Sequence, residues 1–203
     1  MLSKSPSRAH SRGEATYADL QAVPSHLVAE ILSGELITHP RPAPRHSEAA
    51  NGLAYELTGP FQRGRNGPGG WRFLTEPELH LGPNVVVPDY AAWRVERLPK
   101  LPEAPWIEIV PDWVCEIISS STEAVDRGRK LAIYASFNVR HCWLINPNTK
   151  VLEVLELRNG NWILLSTFTD GADVVAAPFD AVPFPLSALW PFDERQSDLP
   201  DAL

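Results

Sequence analysis

Two acidic side chains lie in apolar stretches of the sequence, where an unpaired charge is costly. Asp89 ends the run of three valines and a proline at residues 85–88, and Glu116 stands in the middle of the apolar run 113–118. Both runs favour β-strands. An isolated buried charge costs several kcal/mol or more, so such a carboxylate is normally neutralised, paired with a cation or used to bind a metal. Asp89 and Glu116 are therefore the first candidates for a functional site.

A shared metal ion is one chemistry that these two acids could carry. If their strands are neighbours in one sheet, about 4.8 Å apart, both carboxylates reach the same cation. Oxygen ligands of this kind suit Mg²⁺, with Mn²⁺ as a substitute. Asp112 is too far from Glu116 to share the ion, since four strand residues span roughly 13 Å. Lys130 lies on the next predicted helix, and its ammonium group could orient a water or stabilise charge on a phosphate.

Ordinary structural roles account for the same residues one at a time. A Pro-Asp pair is common where a strand turns, and a buried Glu116 could instead pair with an arginine. Asp126 and Lys130 have the spacing of an ion pair on a helix surface, although Asp126 could also position Lys130. The residues alone leave these alternatives open.

The predicted elements decide which way these side chains point. In the strand 113–118 the two-residue period places Glu116 on one face with Val114 and Ile118. Both faces are otherwise apolar, so we expect the strand to be covered on each side. A helix over about residues 120–137 follows. One face of this helix carries Asp126, Lys130, Ile133, Tyr134 and Phe137.

The rest of the pattern predicts an α/β (α+β) fold with one sizeable domain. The chain has 203 residues, of which 44% are apolar, enough for one real core. Other predicted elements are short helical pieces within 17–32, a strand at 35–38, a helix at about 47–59, strands at 71–74 and 78–81, and a C-terminal antiparallel meander at 141–145, 151–157 and 162–165. The predicted divisions are a disordered arm at 1–15, the folded domain at 16–177 and a Pro-rich wrap or tail at 178–203.

Composition narrows the classes of function and location. The formal net charge of −7 argues against a protein that coats nucleic acid non-specifically. A local basic face remains possible in the first half, where either a phosphate backbone or solvent could surround the arginines Arg41, Arg45, Arg63, Arg65 and Arg72. Cys115 and Cys142 lie in apolar runs and predict buried free thiols in a reducing cytoplasm. No apolar run reaches about 18 residues, so we expect no membrane segment.

Four segments of the sequence resemble the Uma-two family, whose members are classed as restriction endonucleases within the PD-(D/E)xK nuclease superfamily. These segments are Val87-Pro88-Asp89 and residues 111–119, 126–134 and 139–147, and the likeness spans about residues 17–168. The resemblance implies a restriction-endonuclease-like core, a mixed central sheet flanked by helices, and Mg²⁺-dependent hydrolysis of DNA phosphodiester bonds. It also implies that Asp89 and Glu116 hold the metal and that Lys130 is the active-site lysine.

The resemblance also indicates where this chain departs from the wider superfamily. Other members carry the lysine two residues after the second acid, where this chain has Ile118, so Lys130 would act from the following helix. His46 matches a histidine that opens the first long helix, and we expect it to be polar or DNA-facing. Glu78 matches a family glutamate and could be a third metal ligand, or could pair with Arg72.

The leading hypothesis is a Mg²⁺-dependent DNA endonuclease, acting as a homodimer because cutting two strands is easiest with two sites. A second hypothesis is a catalytically inactive module that keeps the fold and binds DNA or protein. A weaker third is a phosphodiesterase for RNA or small nucleotides, since these substrates present the same phosphate chemistry.

Overall fold

The described part of the chain forms two main β-sheets, a short two-stranded pair near its C-terminal end and a small number of helices. A computed structural model describes residues 14–169 and 171–192. The helices are α1 (Tyr17–Gln21), α2 (Pro44–Leu57) and α3 (Leu131–Ser136), with π-helical turns at Thr58–Gln62 and Val125–Lys130 and a 3-10 turn at Leu186–Leu189. The strands are β1 (Leu27–Leu32), β2 (Glu35–Pro40), β3 (Trp71–Thr75), β4 (Leu79–Leu81), β5 (Asn84–Val86), β6 (Tyr90–Arg94), β7 (Trp113–Ile117), β8 (His141–Asn146), β9 (Val151–Arg158), β10 (Asn161–Thr169), β11 (Asp173–Val174) and β12 (Phe184–Pro185).

The larger sheet is mixed and has six strands in the order β10-β9-β8-β7-β6-β3. Strands β7 and β8 run parallel, and the other neighbours are antiparallel. The helical segment that ends with α3 connects the parallel pair, as a parallel connection requires. The smaller sheet is antiparallel, in the order β2-β1-β5-β4. The predicted mixed sheet with flanking helices and an antiparallel β8-β9-β10 meander is confirmed.

Strand β7 is buried on both faces, which confirms the two-residue period predicted for it. Trp113 and Ile117 pack in one apolar cluster with Leu53 of α2. Val114 packs on the opposite side with Ile133 of α3. That second cluster also contains apolar side chains of the smaller sheet, so it joins the two sheets around the face that carries Glu116.

Helix α2 covers the first of these faces together with the C-terminal part of the chain. It begins at Pro44, whose fixed φ suits a first helical turn, three residues before the predicted start at about residue 47. C-terminal side chains in the same cluster are Phe179, Phe184, Leu186, Leu189 and Trp190. Residues 1–13 of the predicted arm and 193–203 of the predicted tail lie outside the described residues. Within these bounds, no helix is both long and apolar enough to cross a bilayer.

The prediction of short helical pieces throughout residues 17–32 is wrong in its second half. Helix α1 ends at Gln21, and β1 pairs with β2 across a two-residue turn. Ser33 and Gly34 both have positive φ, at 53° and 80°, as the tight hairpin turns that match strand twist require. The Ser-Gly pair was therefore the local signal for a hairpin.

The strand predicted over 85–89 is shorter than expected, because residues 87–89 form the link from the smaller sheet to the larger one. Strand β5 ends at Val86 in the smaller sheet, whereas Asp89 directly precedes β6, the neighbour of β7 in the larger one. Asp89 therefore lies close to Glu116 because β6, which follows Asp89, pairs with β7. The valine-containing strand β5 is not a neighbour of β7. Pro88 lies in the link between β5 and β6, and it has no N–H group to donate to a neighbouring strand.

Candidate active site

A pocket of about 200 Å³ lies where the two sheets meet. Its acidic and basic lining residues are Glu30, His39, Arg41, His46, Glu76, Asp89, Glu116, Asp126 and Lys130. The pocket thus collects side chains from β1, α2, β7 and the π-helical turn before α3. These elements are far apart in the chain, and the smaller sheet supplies part of the wall.

Glu116 projects from β7 toward the helix that follows it, and its side chain is only 2% exposed. The hydroxyl of Tyr134 donates to Glu116 Oε1 at 2.5 Å, and Lys130 Nζ donates to Oε2 at 3.1 Å. Burial raises the pKa of Glu116 well above its usual value, although Lys130 acts in the opposite direction. The buried partner of Glu116 is therefore a lysine, and not the arginine considered from the sequence.

Lys130 turns inward from its helix, and its side chain is 6% exposed. Its Nζ also donates to the Val87 carbonyl at 3.0 Å and lies 3.2 Å from Glu30 Oε1 and 3.6 Å from Asp126 Oδ1. Burial alone would lower the pKa of Lys130, but these carboxylates raise it well above its usual value. The ammonium group is therefore held charged inside the protein, and the Asp126 pair is buried rather than a helix-surface contact.

Asp89 links the larger sheet to α2. Its Oδ2 accepts the backbone N–H of Ile117 at 2.6 Å, directly beside Glu116 in β7. Its Oδ1 lies 3.0 Å from Nε2 of His46 on α2. Burial would lower the pKa of His46, but the hydrogen bond and charge of Asp89 raise it above its usual value. Asp89, directly before β6, and Glu116, on the neighbouring strand β7, thus both line the pocket.

The chemistry of these side chains fits a hard, oxygen-bound cation. Five carboxylates, those of Glu30, Glu76, Asp89, Glu116 and Asp126, line the pocket and outnumber the charges of Lys130, Arg41 and a protonated His46. No group of three or more His, Cys, Asp or Glu side chains in the described part of the chain is arranged to hold a metal ion. Mg²⁺ commonly takes one or two protein carboxylates and completes its shell with water and substrate phosphate. Asp89 and Glu116 are the pair that would hold it.

Comparison with known proteins assigns the chain to a family. The family model described as "Uma2: Putative restriction endonuclease" matches residues 15–183. The chain belongs to the Uma2 family. The resemblance to this family predicted from the four sequence segments is therefore confirmed. A search of curated proteins found no match.

A solved structure supports the fold of this Uma2-family chain. It is the crystal structure of "a putative nuclease belonging to DUF820 from Anabaena variabilis ATCC 29413". The two chains are 20% identical, with a TM-score of 0.71, and the match covers 88% of this chain and 98% of that one. At this identity the likeness shows a shared fold.

Two residues predicted for the site lie elsewhere in the Uma2-family chain. Glu78 accepts a hydrogen bond from Tyr17 at 2.9 Å and lies 2.7 Å from His80 Nε2, outside the residues that line the pocket. It pairs with neither a pocket residue nor Arg72. Arg72 instead donates to the carbonyls of Leu98 and Pro99. Other acids do reach the pocket beside Asp89 and Glu116, among them Glu30 from β1.

The remaining predicted residues occupy the pocket or its surroundings. The side chain of His46, expected to be polar or DNA-facing, is 12% exposed and contacts Asp89 through its Nε2 atom. Arg41 lines the pocket and donates to the Ser25 carbonyl at 2.8 Å. Arg45 lies exposed in the first turn of α2. Asp112, rejected on distance, accepts from the Arg94 backbone and pairs with Arg97.

Sequence reasoning missed Glu30 as a site residue. Glu30 is 1% exposed, accepts the Val87 N–H at 2.7 Å and lies 3.2 Å from His39 Nε2. Its Oε2, which faces His39, has no aligned hydrogen-bond partner among the described residues. The signal was present, since Glu30 is a lone acid in an apolar run just as Glu116 is. The assignment of that run to a helix hid it.

Proposed function

We propose that the protein is a Mg²⁺-dependent endonuclease that hydrolyses phosphodiester bonds in DNA. The observation that carries the proposal is the inward position of Lys130, whose Nζ lies 3.1 Å from Glu116 in a pocket that also holds Asp89. If Lys130 faced outward from its helix, its positive charge would not lie beside Glu116 and could not act on a phosphate bound there. The nuclease family and the nuclease-like fold support the same reaction class.

Each side chain has a role that its position allows. Asp89, directly before β6, and Glu116, on the neighbouring strand β7, would hold the ion. When bound, Mg²⁺ supplies polarisation of a phosphoryl oxygen and a lowered pKa for a water molecule. Lys130, whose side chain is 6% exposed, offers a fixed positive charge to the negative charge that develops on the phosphate. Asp126 holds that ammonium group from within the same helix.

Substrate access and assembly follow from the same proposal. Arg41 at the pocket and Arg45 on the first turn of α2 would contact phosphates flanking the cleaved bond. Because each chain carries one such site and a duplex has two strands, we propose a homodimer as the cutting form. Light scattering during gel filtration measures this directly, and a mass of about 45 kDa, twice the 22.5 kDa of one chain, is expected.

Cleavage of supercoiled plasmid tests the activity. Wild-type protein is expected to nick DNA with Mg²⁺ or Mn²⁺ and to stop when EDTA is added. Asp89→Asn and Lys130→Met are expected to lower the rate by about a hundredfold or more. Asp112→Asn is the matched control, since Asp112 is an acid beside β7 that lies outside the pocket. Equal nicking by all four proteins would show that a contaminant cuts the DNA.

An inactive, DNA- or protein-binding module is the second candidate, and one observation favours it. Both oxygens of Glu116 and both of Asp89 already have protein partners, so a metal ion must share or displace them. Calorimetric titration with Mn²⁺ separates the two functions. Binding that is lost in Asp89→Asn supports the endonuclease, and an absence of heat at millimolar Mn²⁺ supports the inactive module.

A further inference from the structure

Glu30, on β1 of the smaller sheet, contacts both Lys130 and the segment that precedes Asp89. One oxygen, Oε1, accepts the Val87 N–H at 2.7 Å and lies 3.2 Å from Lys130 Nζ. Val87 is two residues before Asp89, and its carbonyl accepts from the same Nζ at 3.0 Å. Glu30 is therefore connected to the lysine and to the segment that delivers the first acid.

We propose that Glu30 is a positioning residue of the active site. It fixes the ammonium group of Lys130 beside Glu116. It also holds the backbone of Val87, and this contact helps to set the position of Asp89 directly before β6. This inference rests on the proposed nuclease function. It assigns to the smaller sheet a part in the reaction, because β1 carries Glu30 and is paired on both sides within that sheet.

The geometry around Lys130 explains why a third acid is needed. An ammonium group has three N–H donors and no acceptor. Its three nearest oxygens are the Val87 carbonyl, Glu116 Oε2 and Glu30 Oε1, at 3.0, 3.1 and 3.2 Å. These oxygens come from three different segments and hold the flexible four-carbon stem in one place. Without Glu30, the next acid after Glu116 is Asp126 at 3.6 Å, on the lysine's own helix.

Stability alone does not account for a carboxylate at this position. Glu30 is 1% exposed in a strand with apolar neighbours. Replacing a buried ion pair by well-packed apolar residues is often neutral or stabilising. A charged side chain in this strand therefore indicates a role in arranging charge. Among the described residues, the basic groups close to Glu30 are Lys130 and His39.

The test compares Glu30→Gln, Glu30→Asp and the control Glu35→Gln. Glutamine keeps an oxygen for the Val87 N–H but removes the charge from Lys130, whereas aspartate keeps the charge with a shorter reach. Glu35 is an exposed acid on β2 that pairs with Arg129 on the surface. Glu30→Gln is expected to lower kcat by about tenfold to a hundredfold and to leave KM for DNA nearly unchanged. Glu30→Asp is expected to recover part of kcat, and Glu35→Gln to match wild type.

A second readout does not depend on nuclease activity. An amine-reactive reagent, followed by mass spectrometry, measures how far Lys130 is protected relative to the exposed Lys100 in the same sample. Lys130 is expected to be protected in wild type and to react faster in Glu30→Gln. An unchanged kcat, or unchanged protection of Lys130 in Glu30→Gln, overturns the proposal. If wild-type protein cuts no DNA, the nuclease function fails, while the labelling result still decides whether Glu30 positions Lys130.

Loss of folding in Glu30→Gln is the remaining complication, and Glu30→Asp resolves it. Cooperative urea unfolding of each variant is measured first. If only Glu30→Asp folds, its kcat and its Lys130 labelling carry the comparison. A lower kcat with faster labelling supports the proposal, and wild-type values of both overturn it.

Discussion

Replacement of Lys130 by methionine tests whether the buried charge cluster exists as described. Methionine keeps the length and apolar stem of the side chain but removes its charge. Three carboxylates would then remain buried without their cation, since Glu116, Glu30 and Asp126 lie 3.1, 3.2 and 3.6 Å from Nζ. Removing one partner of a buried ion pair typically costs about 3–5 kcal/mol. A cost of that size is a large part of the stability of an ordinary domain.

The matched control is Arg129→Met, one residue earlier on the same helix. Arg129 pairs with Glu35, and their side chains are 45% and 66% exposed. An exposed pair of this kind contributes about 1 kcal/mol or less. Urea unfolding followed by fluorescence of the buried tryptophans measures both variants. The expected difference between them is about 2–4 kcal/mol at pH 7.5.

The pH dependence of the Lys130→Met cost is a second signature. Burial already raises the pKa of Glu116, and loss of the lysine raises it further. A carboxyl whose folded pKa is raised stabilises the folded state below its unfolded pKa, and this contribution is lost as pH rises through the folded pKa. The cost of Lys130→Met is therefore expected to be smaller at pH 5.5 than at pH 7.5. The double variant Lys130→Met with Glu116→Gln is expected to recover part of the loss, because Glu116 is then no longer a buried acid without its cation, whereas Glu30 and Asp126 still are.

Three results would contradict this reasoning. The first is a cost no larger than that of Arg129→Met, which would mean that Lys130 is exposed to solvent. The second is a cost that does not change with pH, which would remove the role of the buried carboxyls. The third is an additive double variant, which would show that Lys130 and Glu116 do not interact.

Two further changes probe the surroundings of the site. Gly52→Ala on α2 would bring its Cβ to 2.7 Å from the Ala188 carbonyl oxygen. Thermal or urea unfolding is expected to show that the variant loses about 1–3 kcal/mol of stability. The control Gly59→Ala, whose Cβ would have no atom within 4 Å, should change stability very little. His46→Gln removes a histidine whose pKa is raised by Asp89, so the stability that His46 contributes is fully present below about pH 6.5 and is lost as pH rises through its folded pKa. The difference in unfolding free energy between wild type and His46→Gln should therefore shrink from pH 5.5 to pH 8.5, and a constant difference would contradict an ion pair with Asp89.

Features encoded by short-range patterns could be predicted from the sequence. The alternation in β7 placed Glu116 on the face shared with Val114, because side chains of a strand alternate in any tertiary context. The helical period placed Lys130 and Tyr134 on one face for the same reason. That Tyr134 donates to Glu116 was not predicted, since the distance from helix to strand depends on packing.

Features that depend on strand pairing could not be predicted in the same way. The run 27–32 fits either a short helix or a strand, and only pairing with β2 and β5 decides between them. The same ambiguity concealed Glu30, because its apolar neighbours indicate a buried acid only when the run is a strand. The valine run before Asp89 likewise gives no indication that Pro88 separates two sheets.

The position of the lysine on a helix has a structural consequence for the whole site. Ile118, at the position where the resemblance drawn from the sequence would place the lysine of the wider superfamily, is 1% exposed and packs in the core between the sheets. A lysine on the strand itself would be directed by the same backbone as Glu116. Lys130 instead approaches from a separate helix, so its position relative to Glu116 depends on how that helix docks. The position of the lysine is nevertheless restrained by three contacts. Glu30 on β1, Glu116 on β7 and the Val87 carbonyl each contact the same ammonium group from a different segment.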